Sequence, residues 1–298
     1  MKQKITRPIS IRIKYTRYVI PILLITFLSI GAIDTIFYFH SVKESSEHEQ
    51  TAYSNTALTS LESYFSQFTS DSSIFFYKNA TQNNLINITQ DDGLEFQQLL
   101  LNDAPYYPSL SMNYSDNVFF ITNNGKLIST TNYSSQLVSD LSPSYITEIL
   151  KKGDDFHGLP FLFGSTDDSD KLYICRNIYQ WTGKTETTGK NRLGTLIVEP
   201  KATVLDKIFS LNSNVYQFVL IDNNHHIFRN TTELSEQNIF ELVENKCLNT
   251  QTYKYTASSF STSINNLQLL LITNQSLVYK NARMFVILLL FPSILALI

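Results

Sequence analysis

Residues 18–39, YVIPILLITFLSIGAIDTIFYF, constrain the fold most, because Asp34 carries the only charged side chain among these 22 residues. As an α-helix, 22 residues would extend about 33 Å, enough for a hydrocarbon core about 30 Å thick. A signal peptide has a shorter apolar region of about 7–15 residues, followed by small residues at a cleavage site. This stretch instead ends in Ile-Phe-Tyr-Phe. We therefore predict a retained membrane helix.

The charges on the two sides of this helix differ in sign. Residues 1–17 contain six Lys or Arg and no acidic residue, whereas residues 40–283 contain 17 Lys or Arg and 25 Asp or Glu. By the positive-inside rule, we expect the N-terminus in the cytoplasm and residues 40–283 outside the cell, with localisation to the cell membrane. The net charge of −8 on this external segment argues against nucleic-acid binding, which needs a basic surface.

A second apolar stretch, MFVILLLFPSILALI at residues 284–298, has no charged side chain. Fifteen residues would extend only about 22 Å as a helix, which is less than a full crossing. A buried core helix is the alternative for a segment of this length, but the stretch has no polar face. We expect most of a second, truncated membrane helix. Pro292 is compatible with this, because membrane helices tolerate proline.

Between the two apolar stretches, helix and strand patterns alternate. Gly and Pro are absent from about residue 41 to residue 78, and Leu61, Phe65 and Phe68 recur at helical spacing, which predicts a long stalk helix. Two hairpin patterns follow, VFFITNNGKLIST and VLIDNNHHIF, and each leads into a helix and paired strands. Antiparallel strands with helices on one side predict an α+β fold.

This order of elements resembles the double Cache sensor region of bacterial membrane receptors. The resemblance covers about residues 10–298 and rests on four segments: DNVFFITNNGKLIST and VYQFVLIDNNHHIF as the two hairpins, YICRNIYQW…RLGTLIVEPKATVLDKIF as the closing strands and exit helix of the first module, and LQLLLITNQSLVYKNA as the last strand and juxtamembrane helix. Among such receptors, the chain most resembles YesM-like sensor histidine kinases of Gram-positive bacteria. Membrane-bound AraC-type transcription regulators have a similar sensor half.

The resemblance implies six parts and an α+β fold with two PAS-like modules containing antiparallel sheets. The parts are a cytoplasmic basic segment (1–17), transmembrane helix 1 (18–39), an extracellular stalk helix (40–80), a membrane-distal module (81–211), a membrane-proximal module (212–283) and a truncated transmembrane helix 2 (284–298).

The resemblance also implies a function, namely the extracellular sensor portion of a transmembrane signalling receptor. The expected receptor is a two-component histidine kinase whose HAMP segment and kinase domain lie outside this chain, so kinase activity is expected only of a full-length form. The expected partners are a small-molecule ligand outside the cell, the lipid bilayer and a second copy in a homodimer formed through the stalk and membrane helices. The alternatives are an AraC-type regulator and a surface-anchored ligand-binding protein. A tethered enzyme is disfavoured, because the sequence has no catalytic signature.

The candidate ligand-binding residues are aromatic or cationic and lie near turns and strands of the first module: Tyr107, Tyr114, Tyr173, Arg176 and Trp181. Amphipathic aromatic side chains with a few polar groups are typical of small-ligand pockets. If Arg176 is buried, it needs a ligand carboxylate or phosphate, or Asp154 or Asp155, as its partner; an exposed strand face is the other possibility. The residues after Arg176 are Asn-Ile-Tyr, without the Trp-Tyr that the amino-acid-binding Cache subgroup has three residues on. The resemblance therefore does not imply an amino-acid ligand.

No metal site or cofactor is predicted. Adjacent His225 and His226 would point to opposite faces of a strand, and we expect them in an exposed turn. The acidic residues within 167–170 lack EF-hand spacing and are expected in a solvated loop. Cys175 and Cys247 could form a disulfide or remain free.

Overall fold

A computed structural model describes residues 11–77, 85, 107–111, 113–129, 143–164, 172–180, 192–209, 214–222, 226–264 and 267–295. The helices are α1 (Ile11–Ser72), α2 (Ile74–Tyr77), α3 (Pro143–Asp154), α4 (Ala202–Phe209), α5 (Glu236–Asn245), α6 (Gln275–Val278) and α7 (Lys280–Leu295). The strands are β1 (Ser115–Thr122), β2 (Leu127–Ser129), β3 (Phe161–Gly164), β4 (Leu172–Tyr179), β5 (Arg192–Pro200), β6 (Tyr216–Asp222), β7 (Ile227–Asn230), β8 (Cys247–Asn249), β9 (Lys254–Ser261) and β10 (Leu267–Asn274).

The strands form two five-stranded sheets with the same internal order. The first sheet has the order β2-β1-β5-β4-β3, and the second has the order β7-β6-β10-β9-β8. In the first sheet every neighbouring pair is antiparallel, and in the second β6 pairs antiparallel with β7 and β10. The second sheet therefore repeats the topology of the first, and the predicted α+β architecture is confirmed.

Local sequence signals explain the hairpin and the capped helix. In the turn between β1 and β2, Thr122 N donates to Lys126 O over 2.9 Å, and Gly125 has a φ of 77°, which suits glycine. At the start of α5, the Ser235 hydroxyl accepts from Asn238 N. At its end, Lys246 adopts the left-handed conformation, with a φ of 57°, and donates its N–H to Leu242 O.

The main hydrophobic core joins the C-terminal part of α1 to one face of each sheet. On α1, Leu61, Phe65 and Phe68 are buried, which confirms the stripe predicted at helical spacing. They belong to one cluster that also contains side chains of both sheets, among them Phe120 of β1 and Phe218 of β6. One helix therefore supplies the apolar surface on which both sheets pack.

A second core lies on the opposite face of the first sheet. Because strand side chains alternate between faces, Phe119 and Cys175 point away from the α1 side, where Phe120 and Ile174 lie. Ile149 of α3 is fully buried in this second cluster. The first sheet is thus covered by α1 on one face and by α3 on the other.

The chain divides into two compact units. One contains Met1–Thr51, Asn249–Tyr255 and Asn274–Ile298, and the other contains Ala52–Leu248 and Thr256–Thr273 with most of both sheets. Of the described helices, α1 alone is long and apolar enough to cross a membrane, with a mean hydropathy of 2.2 over its most apolar window.

Within the first unit, the C-terminal end of the predicted membrane stretch lies against the beginning of α7 and the residue before it. The ring centroids of Tyr38 and Phe285 are 4.8 Å apart, and those of Phe39 and Tyr279 are 5.7 Å apart. The predicted second membrane segment is helical as far as Leu295, where α7 ends. The start of α7 therefore packs beside α1.

Replacing Phe68 by alanine tests the shared core. Its side chain is 0% exposed, so Phe68→Ala is expected to lower the free energy of unfolding by about 3–5 kcal/mol. The matched control, Phe240→Ala, removes a ring that is 37% exposed on α5, and should cost about 1 kcal/mol or less. Urea unfolding of the solubilised chain, followed by circular dichroism, measures both. Equal shifts of the two midpoints would contradict the placement of Phe68 in this core.

Candidate ligand-binding site

The structure places the five predicted ligand-binding residues in different surroundings. Tyr107 is half-buried against the main core, and Tyr114, 44% exposed, lines a groove. Tyr173 lies in the second core, on the α3 side of β4, whereas Arg176 lies on the α1 side. Trp181 is outside the described residues, as are His225 and the acidic residues within 167–170. The described members of the set therefore do not converge on one pocket.

The groove that Tyr114 lines has a volume of about 820 Å³. One wall is α1, the other is α4, and the segment that leads into β1 closes the side between them. The lining residues are Thr59, Ser60, Ser63, Tyr64, Gln67, Pro108, Ser109, Asn113, Tyr114, Thr203, Val204, Lys207 and Ile208. Among the described residues, this lining has one lysine, no carboxylate and many hydroxyl and amide groups.

A buried carboxylate fixes the wall between α1 and β1. Asp71 Oδ2 accepts from Ser109 N at 2.8 Å and from Ser109 Oγ at 2.7 Å, and its Oδ1 accepts from Gln67 Nε2 at 2.7 Å. Ser115 Oγ then donates to Ser109 O. Asp71 is 4% exposed, so these donors replace the water that a carboxylate needs. No sequence pattern pointed to Asp71 beyond a polar position in a helix.

Tyr64 brings a buried phenol to the groove. Burial is the main cause that raises the pKa of Tyr64 to about 12, and the negative charge of Asp71 adds to it. The neighbouring Ser115 hydroxyl opposes this shift. The phenol therefore remains protonated even above pH 10, the ordinary pKa of a tyrosine.

Arg176 ties the centre of β4 to the end of α1. Its Nη1 donates to Thr69 O and Ser72 Oγ, each at 2.7 Å, and to Ser73 Oγ at 3.2 Å. The last carbonyls of a helix lack intrahelical donors, and a cation there also interacts favourably with the helix dipole. The guanidinium lies 4.6 Å from the centre of the Phe76 ring in α2, which adds a cation–π contact.

The same side chain also reaches the segment after α3. Arg176 Nε donates to Gly158 O at 2.8 Å. The suggested pairing with Asp154 is wrong, because the Asp154 carboxylate accepts from Arg192, 2.5 Å away. The described hydrogen bonds of Arg176 go to backbone carbonyls and hydroxyl groups of the protein.

Asn177, the next residue, meets α3 on the opposite face of β4. Its Oδ1 accepts from Thr195 Oγ1 at 2.6 Å, and it is fully buried. A Cβ at Gly153 would lie 2.5 Å from this oxygen. Helix α3 continues through Gly153 to Asp154. Its glycine is needed for the close approach of α3 to β4.

Lys152 connects the edges of the two sheets. Its Nζ lies 5.5 Å from the ring centre of Phe163 in β3 and 5.8 Å from that of Phe228 in β7. His226 is exposed, as predicted, and Gly164 leaves room for its ring, because a Cβ there would lie 2.6 Å from it. A cation from α3 is thus shared between rings of both sheets.

Both cysteines are free thiols. Cys175 is buried in the second core, and burial raises the pKa of its thiol. A buried thiol of this kind is an inert core residue.

Comparison with solved structures identifies the fold. The extracellular domain assigned to the histidine kinase soHK1S-Z6 is similar over 82% of this chain and 99% of that chain, with 11% identity and a TM-score of 0.52. The chain therefore has a Cache-like fold. No protein-family model matches the sequence, and no curated protein does.

Two chemoreceptor domains are similar to the chain at lower scores. The ligand-binding domain of Pseudomonas fluorescens CtaA, in complex with L-serine, covers 80% of this chain and 99% of its own, at 12% identity and a TM-score of 0.48. That of Pseudomonas aeruginosa PctB, in complex with L-Arg, covers 79% and 97%, also at 12% identity and 0.48.

Replacing Gly153 by alanine tests the close contact between α3 and β4. Overpacking against Asn177 should lower the free energy of unfolding by about 1–3 kcal/mol. At an unobstructed helix position the same change would raise it by up to about 1 kcal/mol, so the sign decides. The double variant Gly153→Ala/Asn177→Ala should cost less than the sum of the two single variants. Thermal or urea unfolding measures all three, and a stabilised Gly153→Ala chain would rule the contact out.

Proposed function

We propose that the chain is the extracellular sensor portion of a bacterial transmembrane signalling receptor. The observation that carries the proposal is α1, one unbroken helix from Ile11 to Ser72 that includes the apolar stretch 18–39 and the core stripe of both sheets. Displacement of either sheet along or around this helix would be passed to its apolar part without a flexible linker. The Cache-like fold supports the same proposal.

Ligand binding outside the cell would act through the groups that hold α1. The groove lies between α1 and α4, and α4 is the link between the last strand of the first sheet and the first strand of the second. Arg176 holds β4 to the last turn of α1. A ligand can shift the balance between two signalling states only by binding them with different affinity, and these contacts would differ between the states.

The five residues predicted from the sequence enter this proposal differently. Tyr114 lines the groove and is proposed to contact the ligand. Arg176 is proposed to transmit the change, because its hydrogen bonds to Ser72 and Gly158 connect β4 with the end of α1 and with the segment after α3. Ligand contact by Tyr107, Tyr173 and Trp181 stays a prediction.

The finer proposal is that the output is a histidine kinase, with an AraC-type DNA-binding output as its alternative. The resemblance of the sequence to YesM-like kinases supports the first. The proposal includes a cytoplasmic N-terminus, a second crossing by α7 and a homodimer formed through α1 and the membrane helices. The six parts predicted from the sequence stay the proposed division of the chain.

An insertion series in α1 tests the sensor function without a known ligand. The chain is fused after α7 to the cytoplasmic half of a histidine kinase with a transcriptional reporter, and one to seven alanines are inserted after Glu44. Each alanine rotates the helix by about 100°, so output should vary with a period of about 3.6 residues and return near its starting value at seven.

The matched control receives the same insertions after Glu233, in the exposed segment between β7 and α5. Output from this control series should stay constant. An α1 series that is equally flat, in a fusion that reaches the cell surface, would favour the surface-anchored binding protein instead.

A further inference from the structure

The turn between β8 and β9 lies beside the helical end of the chain. It belongs to the same compact unit as the two apolar stretches. Lys254 N donates to Ser276 Oγ at 2.9 Å, which ties the start of β9 to α6. Ser276 precedes Tyr279 by three residues, or about 4.5 Å along a helix, and the Tyr279 ring packs on that of Phe39, the last residue of the first apolar stretch. Along the helix axis, the turn therefore lies about one helical turn from the end of that stretch.

The hydrogen bonds from α6 to α7 form a continuous helical path. Tyr279 N donates to Gln275 O, and Arg283 N donates to Tyr279 O. The side chain of Asn274, the last residue of β10, caps α6 by accepting from Leu277 N. Strand β10 therefore passes directly into the helix that leads to α7, and the β8–β9 turn is attached to this helix.

The β8–β9 turn is closed by its own hydrogen bonds and presents a tyrosine to the surface. Thr250 N donates to Tyr253 O at 2.8 Å, and Tyr253 N donates to Thr250 Oγ1 at 2.9 Å. Tyr253 is 40% exposed, and its ring centroid is 6.1 Å from that of Tyr255. Tyrosine is enriched at the level of lipid headgroups, because its ring is apolar and its hydroxyl group is polar.

The charge of the segments next to the apolar stretches is positive. Residues 249–255 and 274–283 contain three cations and no acidic residue, although residues 40–283 together carry a net charge of −8. These cations are Lys254, Lys280 and Arg283. All three are exposed, and none forms an ion pair within the described part of the chain. Unpaired cations beside a tyrosine, at the end of an apolar stretch, are complementary to the headgroups of anionic lipids.

We propose that the β8–β9 turn, with the starts of β9 and α7, forms a membrane contact that binds the headgroups of anionic phospholipids. Tyr253 lies among the headgroups, and Lys254, Lys280 and Arg283 contact the lipid phosphates. The bond from Lys254 N to Ser276 passes this contact on to the helix before α7. The inference rests on the proposed function, because it needs α1 to cross a membrane.

Quenching of tryptophan fluorescence by brominated lipids tests the contact, with the full chain in nanodiscs. Trp181 is the only tryptophan of the chain, so Trp181→Phe provides a background into which Tyr253→Trp is introduced. Phospholipids brominated near the glycerol end of their acyl chains should quench most of its fluorescence, because the indole would lie at the headgroup level. Thr252→Trp, at an exposed neighbouring position of the same turn, gives an independent second measurement.

Two positions on α1, in the same unit, calibrate the depth. Phe27→Trp, within the apolar stretch and 72% exposed, should be quenched if α1 crosses the bilayer. His48→Trp, exposed on α1 about 13 Å beyond Phe39, should be quenched little. Quenching in Phe27→Trp, without quenching in Tyr253→Trp and Thr252→Trp, would overturn this proposal and leave the crossing intact. Unquenched fluorescence in Phe27→Trp would contradict the crossing, and this proposal with it.

The lipid charge is tested by placing the bromine on one lipid class at a time. In nanodiscs of fixed phosphatidylcholine and phosphatidylglycerol content, the Tyr253→Trp chain should show a preference of about fivefold for brominated phosphatidylglycerol. Lys254→Gln with Lys280→Gln should remove most of this preference. The matched pair Lys151→Gln with Lys207→Gln, two exposed lysines of the other unit, should leave it unchanged. Equal quenching by the two lipids, or an unchanged preference in the first pair, would overturn the assignment to anionic headgroups.

The outcome separates this proposal from the sensor function. Quenching with a preference for phosphatidylglycerol, together with a flat α1 insertion series, would support the membrane contact and contradict the sensor. An insertion series with helical period and an unquenched β8–β9 turn would support the sensor and contradict the membrane contact.

Discussion

The rest of the structure depends on the apolar stripe of α1. Leu61, Phe65 and Phe68 are buried in a cluster that includes side chains from both sheets. Without the helix, each sheet would expose the apolar side chains on its α1-facing side to water. The stripe therefore fixes both sheets to one helix. A movement of either sheet would therefore displace α1.

Strand β4 is held on both faces by neighbouring residues. Arg176 reaches the last turn of α1, and Asn177 meets α3 at Gly153. One turn of α3 also contains Lys152, whose ammonium lies over rings of both sheets. A displacement of α3 would thus alter the contacts of β4 with the last turn of α1 and the contacts of Lys152 with rings of both sheets. In a packed core such contacts have few alternative arrangements, which suits a two-state signal.

Local patterns predicted the elements well, because their causes are local. The stripe at Leu61 and Phe65 follows from helical spacing, and the turn at Gly125 follows from the preference of Asn and Gly for a positive φ. The repeated hairpin, helix and strand order was sufficient to predict two similar modules.

The site could not be predicted as well, because its contacts are distant in sequence. Arg176 was singled out correctly as a cation that needs partners, but Thr69, its acceptor, is 107 residues away. Asp71 and Ser109 are hydrogen-bonded in a buried network, but no sequence motif connects these two positions. The role of Gly153 is visible only when α3 lies on β4. Tyrosine content pointed to aromatic pockets, yet Tyr173 lies in a core and Tyr114 at a groove.

The central claim is that Arg176 holds the end of the stalk helix to the first sheet. Hydrogen–deuterium exchange of the full chain, compared with that of Arg176→Lys, tests it most directly, since lysine keeps the charge but lacks the planar fork. The account predicts that amides of residues 65–77 exchange about tenfold faster in the variant, while those of α5 are unchanged. Unchanged exchange at residues 65–77 would contradict it.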